Sequence, residues 1–244
     1  MKVAVFGALG HMGKEVCAAL EKNYGGCTLG AKIDAFGEND VYTSLASCTE
    51  EIDVVVDFSH HSAIIGLLED AKAKKLPVVI ATTGHTEAEQ AALQSAAKEI
   101  PVFCAANMSV GVALLVKLAK EAARAMPDAD IEIIEKHHNR KLDAPSGTAL
   151  MIANAIKDVR NEAQFVFGRG GQAKRQESEI GIHAVRMGNV VGEHEVILCT
   201  ASQTITLKHE AHSRALFAEG ALVAADFVAK QSAGLYTMKD MLGE

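Results

Sequence analysis

The first 22 residues place the strongest constraint on the fold. Lys2–Phe6 is a short apolar run, which is typical of a buried parallel strand. Gly7, Gly10 and Gly13 follow at three-residue spacing, and Glu15–Lys22 then has the apolar spacing of a helix. A strand, a glycine-rich turn and a helix in this order begin a dinucleotide-binding unit, but a tight turn without a ligand has the same pattern. The glycines alone therefore leave both interpretations open.

An acidic residue after the second predicted strand strengthens the dinucleotide interpretation. Thr28–Ile33 has the composition of a strand, and Asp34 follows it, 21 residues after Gly13. A carboxylate near this distance holds the ribose 2′-hydroxyl in dinucleotide-binding folds. Ala35 stands where an arginine would suit a 2′-phosphate. The sequence therefore favours NADH and leaves NADPH open.

Short strands alternate with helices through the first half of the chain, which predicts a doubly wound parallel sheet. Ligands of such sheets bind at the carboxyl ends of the strands. Further strands are predicted at Asp53–Phe58, Val78–Ala81 and Val102–Ala105. Their ends carry small polar residues that would let a nicotinamide ring approach the backbone: Ser59, Thr82, Thr83 and Asn107.

The pattern changes after residue 109, and from Ile180 onward the chain is rich in strands joined by short turns. This predicts an antiparallel or mixed sheet, and such a sheet commonly packs against a copy of itself. The long apolar helix Ser213–Lys230 is expected to return to the first domain. The predicted class is α/β, with an N-terminal Rossmann-type doubly wound parallel sheet and a C-terminal α+β domain. Residues 1–108 with 213–244 would bind the dinucleotide, and residues 109–212 would bind substrate and form the oligomer.

Two histidines and three cations lie close together at the start of Glu135–Thr148, which has the sequence EKHHNRKLDAPSGT. A predicted strand, Ile131–Glu135, precedes this basic cluster, and a helix begins near Gly147. Exposed amides and the positive dipole at a helix N-terminus favour a bound carboxylate, and histidine or lysine can exchange protons with it. From this segment alone, a proton-transfer site and a solvated basic loop are both open.

Composition excludes several other classes of function. The net charge is −7 and no aromatic residues interleave with the cations, so no nucleic acid partner is expected. No apolar run reaches membrane-spanning length, and no His-x-x-x-His or Cys-x-x-Cys spacing predicts a metal site. Five scattered cysteines and the lack of a signal peptide indicate a reduced, cytoplasmic protein. Gly168–Arg175 has loop composition and could be either a closing flap or a plain surface loop.

Over essentially its whole length the sequence resembles the 4-hydroxy-tetrahydrodipicolinate reductase family, also called dihydrodipicolinate reductase, of lysine and diaminopimelate biosynthesis. The most specific motif is His-His-x-x-Lys-x-Asp-Ala-Pro-Ser-Gly-Thr, at 137–148. The other motifs that carry the resemblance are Gly7–Gly13, Asp57–Ser59, Thr82–Gly84, Ala105–Gly111, Gly188–His194 and Gly234–Tyr236.

The resemblance implies that NADH or NADPH reduces a cyclic imine with two carboxylates, on a homotetramer assembled through the sheet of the second domain. It implies that His137 is the general acid and base and that Lys141 is a second proton donor. His138, Ser146, Gly147 and Thr148 would hold a substrate carboxylate. The cofactor would be lined by Gly7, Ala8, Leu9, Gly10, His11, Met12, Asp34, Ala81, Thr82, Thr83, Ala105, Ala106, Asn107 and Met108.

Two other interpretations remain for the sequence. Another NAD-dependent amino-acid dehydrogenase of similar architecture would not need Lys141 together with Ser146–Thr148. A non-catalytic NAD(H) sensor would need a partner-binding segment, and no basic recognition helix is visible. Ala35 and Met108 depart from the residues common in the resembled family, and these departures bear on cofactor preference rather than on reaction class.

Overall fold

In a computed structural model, which describes residues 1–243, the chain forms two compact units. The first comprises Met1–Val110 and Arg214–Glu244, and the second comprises Gly111–Ser213. Along the described chain, no helix combines the length and the apolarity that crossing a membrane would require.

The strands are β1 (Lys2–Phe6), β2 (Thr28–Ile33), β3 (Val41–Tyr42), β4 (Val54–Asp57), β5 (Val78–Ile80), β6 (Pro101–Cys104), β7 (Asp130–His137), β8 (Gln164–Phe167), β9 (Glu179–Arg186), β10 (Gly192–Cys199), β11 (Thr204–Ala211) and β12 (Gly234–Tyr236). The helices are α1 (His11–Glu21), α2 (Ile64–Lys74), α3 (Glu87–Ala96), α4 (Val110–Ala125), α5 (Gly147–Lys157), α6 (Ala215–Val228) and α7 (Met238–Met241).

The first unit contains a seven-stranded parallel sheet in the order β12-β6-β5-β4-β1-β2-β3. Val3 and Val5 pack with α1 and α6, whereas Ala4 packs with α2 and α3. Helices therefore cover both faces, which explains why these strands are apolar almost without interruption. The predicted doubly wound sheet is confirmed.

Three strands escaped the sequence prediction, namely β3, β8 and β12. Residues 234–236 pair with β6 in parallel, and Thr237 then starts α7 with a capping box. β12 contains no buried apolar run, since Leu235 at its centre is 44% exposed, so its existence depends on the unpaired edge that β6 offers.

The second unit contains a five-stranded mixed sheet in the order β11-β10-β7-β9-β8. The two junctions on one side of β7 are antiparallel, and the two on its other side are parallel. Leu115 of α4 and Ile152 of α5 pack on one face against Ile131 and Ile133. The opposite face, called the open face below, carries residues such as Glu132 and Ile197 that alternate with the core residues. The predicted α+β architecture is confirmed.

The stretch Gly168–Arg175 lies in the connection between β8 and β9 and is a loop, as predicted. Arg175 donates to Asp130 at 2.6 Å, and Arg169 is paired with Glu179. Two of its cations are thus engaged with carboxylates of the same unit. Its role as a flap stays a prediction.

Candidate active site

In the loop between β1 and α1, the backbone segments around Gly7, Gly10 and Gly13 lie in close contact with one another. Gly7 has a φ of +82°, and the Gly10 amide donates to the Gly7 carbonyl at 3.0 Å. A Cβ at Gly13 would lie 2.0 Å from the Gly7 oxygen, so only glycine fits there. Gly10 precedes α1 without a side-chain cap. The first turn of α1 is therefore a place where an anion can meet backbone amides.

Asp34 joins this loop to the end of β2. One carboxylate oxygen accepts from the Leu9 amide at 3.0 Å, and the other accepts from the Phe36 amide at 3.1 Å. Lys32, the cation nearest in sequence, is paired with Asp40 at 2.9 Å. The loop that follows β2 therefore presents a carboxylate to the glycine loop, and its adjacent lysine is paired with another acid.

A cavity of about 430 Å³ lies beside the glycine loop within the first unit. Its lining joins five predicted cofactor residues to the segment after β4: His11, Met12, Phe58, Ser59, His60, His61, Ala81, Thr82 and Thr83. Asp57 lies beneath it with no exposed surface, and accepts from the Ser59 amide at 2.8 Å and from the Thr82 hydroxyl at 3.3 Å. Burial raises the pKa of the Asp57 carboxyl despite these bonds.

His60 and His61 both border this cavity. The His60 ring bonds to the Ser62 hydroxyl at 2.9 Å and caps a short turn. His61 is 2.9 Å from Glu89, and the bonds from Thr86 and His61 lower the pKa of the Glu89 carboxyl. Both rings are thus held by local partners.

The remaining predicted cofactor residues, Ala105–Met108, follow β6. The Asn107 side-chain oxygen accepts from the Ser109 amide at 2.9 Å, which shapes the turn into α4. Met108 is 2% exposed and belongs to the core of the first unit.

The basic cluster begins where β7 ends, at His137. Residues 131, 133, 135 and 137 form the buried phase of this strand, so His137 points inward and His138 lies half-buried on the other side. His137 Nδ1 is 2.6 Å from Glu135 Oε2. Gly192 of β10 lies opposite, where an added Cβ would be 3.2 Å from His137 Nε2. Glycine at 192 therefore keeps a side chain away from the second ring nitrogen.

Glu135 has no exposed surface and is surrounded by donors. Arg186 approaches it with two nitrogens, each 2.7 Å from one carboxylate oxygen, and the Ser146 amide donates at 3.0 Å. Burial alone would raise the pKa of this carboxyl, but the bonds from His137, Arg186 and Ser146 outweigh it and lower the pKa to about 2. Glu135 is thus ionised at neutral pH and can only accept, so the shared proton lies on His137 Nδ1.

A second buried histidine adjoins this group. The His194 ring is 5.2 Å from the His137 ring in an edge-to-face arrangement, and its Nε2 is 3.0 Å from the Ser146 hydroxyl. Burial, with the neighbouring His137, lowers the pKa of His194 to about 4, so it is neutral at pH 7. Ser146 also caps α5 by accepting from the Ala149 amide at 3.2 Å. Gly147 and Thr148 therefore form the first turn of a well-anchored helix.

Lys141 lies in the turn between β7 and α5. Its Nζ is 2.8 Å from Asp143, and this bond lowers the pKa of the Asp143 carboxyl. The Lys141 amide donates to the His138 carbonyl at 3.1 Å, which curls the loop. A Cβ added at Gly147 would meet no atom within 4 Å, so the start of α5 faces open space. Within the second unit, the structure brings His137 and His194 into one region with Lys141 and the start of α5.

The sequence did not single out Glu135, Arg186 or His194 as site residues. The sheet register brings them together, since Glu135 pairs with His194 and His137 pairs with Arg186. One signal was available, because Glu135 is a carboxylate in the buried phase of a strand, two residues before a histidine. Buried carboxylates need partners.

The residues of the first unit fit a dinucleotide: a glycine loop that any Cβ would obstruct, an uncapped helix start and a carboxylate at the end of β2. For a metal ion the described residues offer no group of three or more histidine, cysteine or acidic side chains.

Comparison with known proteins assigns both units to one family. The family model described as "Dihydrodipicolinate reductase, N-terminus" matches residues 1–108, and "Dihydrodipicolinate reductase, C-terminus" matches residues 111–242. A 4-hydroxy-tetrahydrodipicolinate reductase from Caldanaerobacter subterraneus is 48% identical over 99% of this chain and 98% of its own. One from Clostridium novyi is 44% identical over the same shares.

A solved structure supports the same assignment. A dipicolinate-bound dihydrodipicolinate reductase from Paenisporosarcina sp. TG-14 has a TM-score of 0.81 and 26% identity, and 97% of each chain is covered.

Proposed function

The chain belongs to the dihydrodipicolinate reductase family, and we propose that it reduces 4-hydroxy-tetrahydrodipicolinate to tetrahydrodipicolinate with NADH or NADPH. The reaction removes the hydroxyl group as water and adds one hydride and one proton. Its product serves lysine and diaminopimelate biosynthesis. The observation that carries the chemistry is the His137–Glu135 contact at the end of β7, beside the start of α5.

The first unit would hold the dinucleotide and the second unit the substrate. A reduced nicotinamide supplies the hydride when it is bound. Gly7–Met12 would hold the pyrophosphate against the start of α1, and Asp34 would hold the adenosine ribose. Ala81–Thr83 and Ala105–Met108 would line the remainder of the cofactor site.

His137 is suited to deliver the proton. Its Nδ1 proton is shared with Glu135, so the exchangeable position is Nε2, beside which Gly192 places no side chain. A carbon that accepts hydride passes negative charge to its conjugated neighbours. A proton donor placed beside them lowers the barrier to hydride transfer. Lys141 would be the second donor.

The substrate carboxylates explain the cations of this acidic protein. The start of α5 can bind one carboxylate through its backbone amides. Ser146 caps this helix, and Gly147 and Thr148 are the first two residues of its first turn. His138 would contact the same carboxylate. The dipicolinate in the Paenisporosarcina structure is a dicarboxylate, which supports a ligand of this class.

The direct test is loss of reduced-nicotinamide absorbance, with substrate generated in situ from pyruvate and aspartate semialdehyde by the preceding synthase. We expect turnover that depends on the synthase being present. Tight NADH binding without any turnover would contradict the proposal and favour a sensor or another substrate.

We propose that NADH is preferred, because Asp34 would repel a 2′-phosphate and Ala35 supplies no cation. Ala35→Arg should raise the ratio of kcat/KM for NADPH over NADH by roughly 10-fold to 100-fold, since a charge-assisted hydrogen bond contributes about 1.5–3 kcal/mol. Steady-state kinetics with both cofactors measure this ratio. Ala35→Gln is the control for side-chain size, and an unchanged ratio in the arginine variant would contradict the role of this position.

We also propose a homotetramer formed through the open face of the second unit, where Ile134 and Ile197 alternate with charged residues. Ile197→Asp should dissociate it, because a charge would be buried in the interface. Analytical ultracentrifugation should give four times the 25.8 kDa chain mass for the unaltered protein and a smaller mass for the variant.

Ile65→Asp, on a 44% exposed position of α2, is the control and should remain a tetramer. A monomeric unaltered protein, or a tetrameric Ile197→Asp variant, would refute this assembly.

We propose a cytoplasmic location because the cysteines are not paired in disulfides. All five are free thiols, and Cys17, Cys27 and Cys48 are buried. Free thiols of this kind are typical of reducing compartments.

A further inference from the structure

Arg186 holds a position that the proposed reaction does not by itself explain. It forms a two-pronged ion pair with Glu135, the residue that bonds to His137 Nδ1. A third contact runs from Arg186 to the Asp143 carbonyl at 2.7 Å, in the loop that carries Lys141. One guanidinium thus joins the carboxylate behind His137 to the loop of the second proposed donor.

The charge balance around His137 shows what this arrangement does. A carboxylate alone against Nδ1 would orient the ring, but it would also stabilise the imidazolium and make its proton hard to release. Arg186 balances that negative charge at 2.7 Å. Because the bridge lowers the pKa of Glu135 and raises that of Arg186, both partners stay charged and the pair is neutral overall.

Other groups near His137 do not replace Arg186 in this balance. His194 of β10 faces the ring edge-on and is neutral at pH 7, since burial lowers its pKa to about 4. In the loop after β7, Lys141 is paired with Asp143. On β7 itself Glu135 is the adjoining acid, and on β9 Arg186 is the residue in register with His137.

We propose that Arg186 is a positioning residue that acts through Glu135: it fixes the orientation of the His137 ring and, by balancing the Glu135 charge, makes the His137 proton easier to release than it would be beside an unopposed carboxylate. This inference rests on the proposed role of His137 as proton donor. It predicts that removing the charge of Arg186 and removing the charge of Glu135 shift the working pH of the enzyme in opposite directions.

The test is the pH dependence of kcat in two variants. Arg186→Met removes the balancing charge and should move the alkaline limb of the profile up by about one to two pH units, because an unopposed carboxylate holds the histidine proton more tightly. Glu135→Gln removes the carboxylate charge and should move that limb down. Arg186→Lys keeps the charge without the two-pronged bond and should return the limb toward that of the unaltered enzyme.

A purely structural role would lower kcat in all three variants and leave the limb where it is, and that result would overturn the inference. A shift of the alkaline limb in the same direction in Arg186→Met and Glu135→Gln would also overturn it. Circular dichroism and thermal unfolding check that each variant is folded, because both positions lie in the second unit and NADH affinity reports on the first.

A second measurement does not depend on turnover. The Cε1–H resonance of His137, assigned by its absence in His137→Gln, should titrate at higher pH in Arg186→Met than in the unaltered protein. The resonance of His183, which pairs with Glu132 at 2.8 Å on the open face, serves as the control and should not move. An unmoved His137 resonance refutes the inference, whereas absence of turnover in the unaltered protein refutes the proposed function.

Discussion

His137→Gln is expected to lower kcat by about 10²–10⁴-fold, which is the usual contribution of a positioned proton donor. Glutamine is close to histidine in size and can still bond to Glu135, so the buried end of β7 should keep its packing. It cannot deliver a proton at neutral pH. Steady-state kinetics should therefore show a loss in kcat with a nearly unchanged KM for NADH.

The neighbouring His138→Gln variant is the matched control, because it differs by one position on the same strand end. If His138 contacts a substrate carboxylate, its variant should raise the substrate KM and affect kcat much less. Near-full turnover in His137→Gln would show that the proton comes from another group.

Lys141→Met is expected to lower kcat/KM for the dicarboxylate substrate by about 10²–10⁴-fold as well. Methionine keeps most of the apolar stem of the side chain but removes the ammonium group. Both the proposed second proton donor and one cation facing the substrate are lost, so kcat should fall and the substrate KM should rise. The affinity for NADH, measured by fluorescence, should be nearly unchanged.

Arg140→Met tests whether net charge alone explains that result. Arg140 is one residue away and donates to Asn189 at 2.9 Å. Its variant removes the same charge and should change kcat/KM by only a few-fold, the size of a screened surface effect. Equal losses in both variants would show that Lys141 has no specific part in the reaction.

The strands and helices of the first unit were largely predictable because periodicity is a local property. Lys2–Phe6 and Thr28–Ile33 were predicted with the bounds that the structure has. Helix α1 begins at His11 rather than near Glu15, because the glycine loop ends at Gly10, whose extended backbone precedes the first turn. Strand β12 was not predictable, since it has no buried apolar run and pairs only at the edge of the sheet, with β6.

The candidate site shows the same division. The sequence predicted a strand that ends at Glu135 and a helix that begins near Gly147. In the structure β7 continues to His137, Lys141 and Ser146 lie in the connection, and Gly147 and Thr148 begin α5. Arg186 lies 51 residues from Glu135 along the chain, and nothing local connects them. The buried carboxylate, the arginine and His194 meet only because β9 and β10 flank β7 in a particular register.

By itself, the amino-acid sequence determined that this chain forms a doubly wound sheet and a mixed sheet, and it placed the histidines and the lysine proposed to exchange protons just after a strand. Hydrophobic period, glycine placement and residue chemistry are properties of neighbours in the chain. The tertiary structure alone decided which nitrogen of His137 is bound to Glu135 and which charge balances that carboxylate. Those outcomes depend on strand register, because a shift of one residue would turn every side chain of β7 to the other face of the sheet.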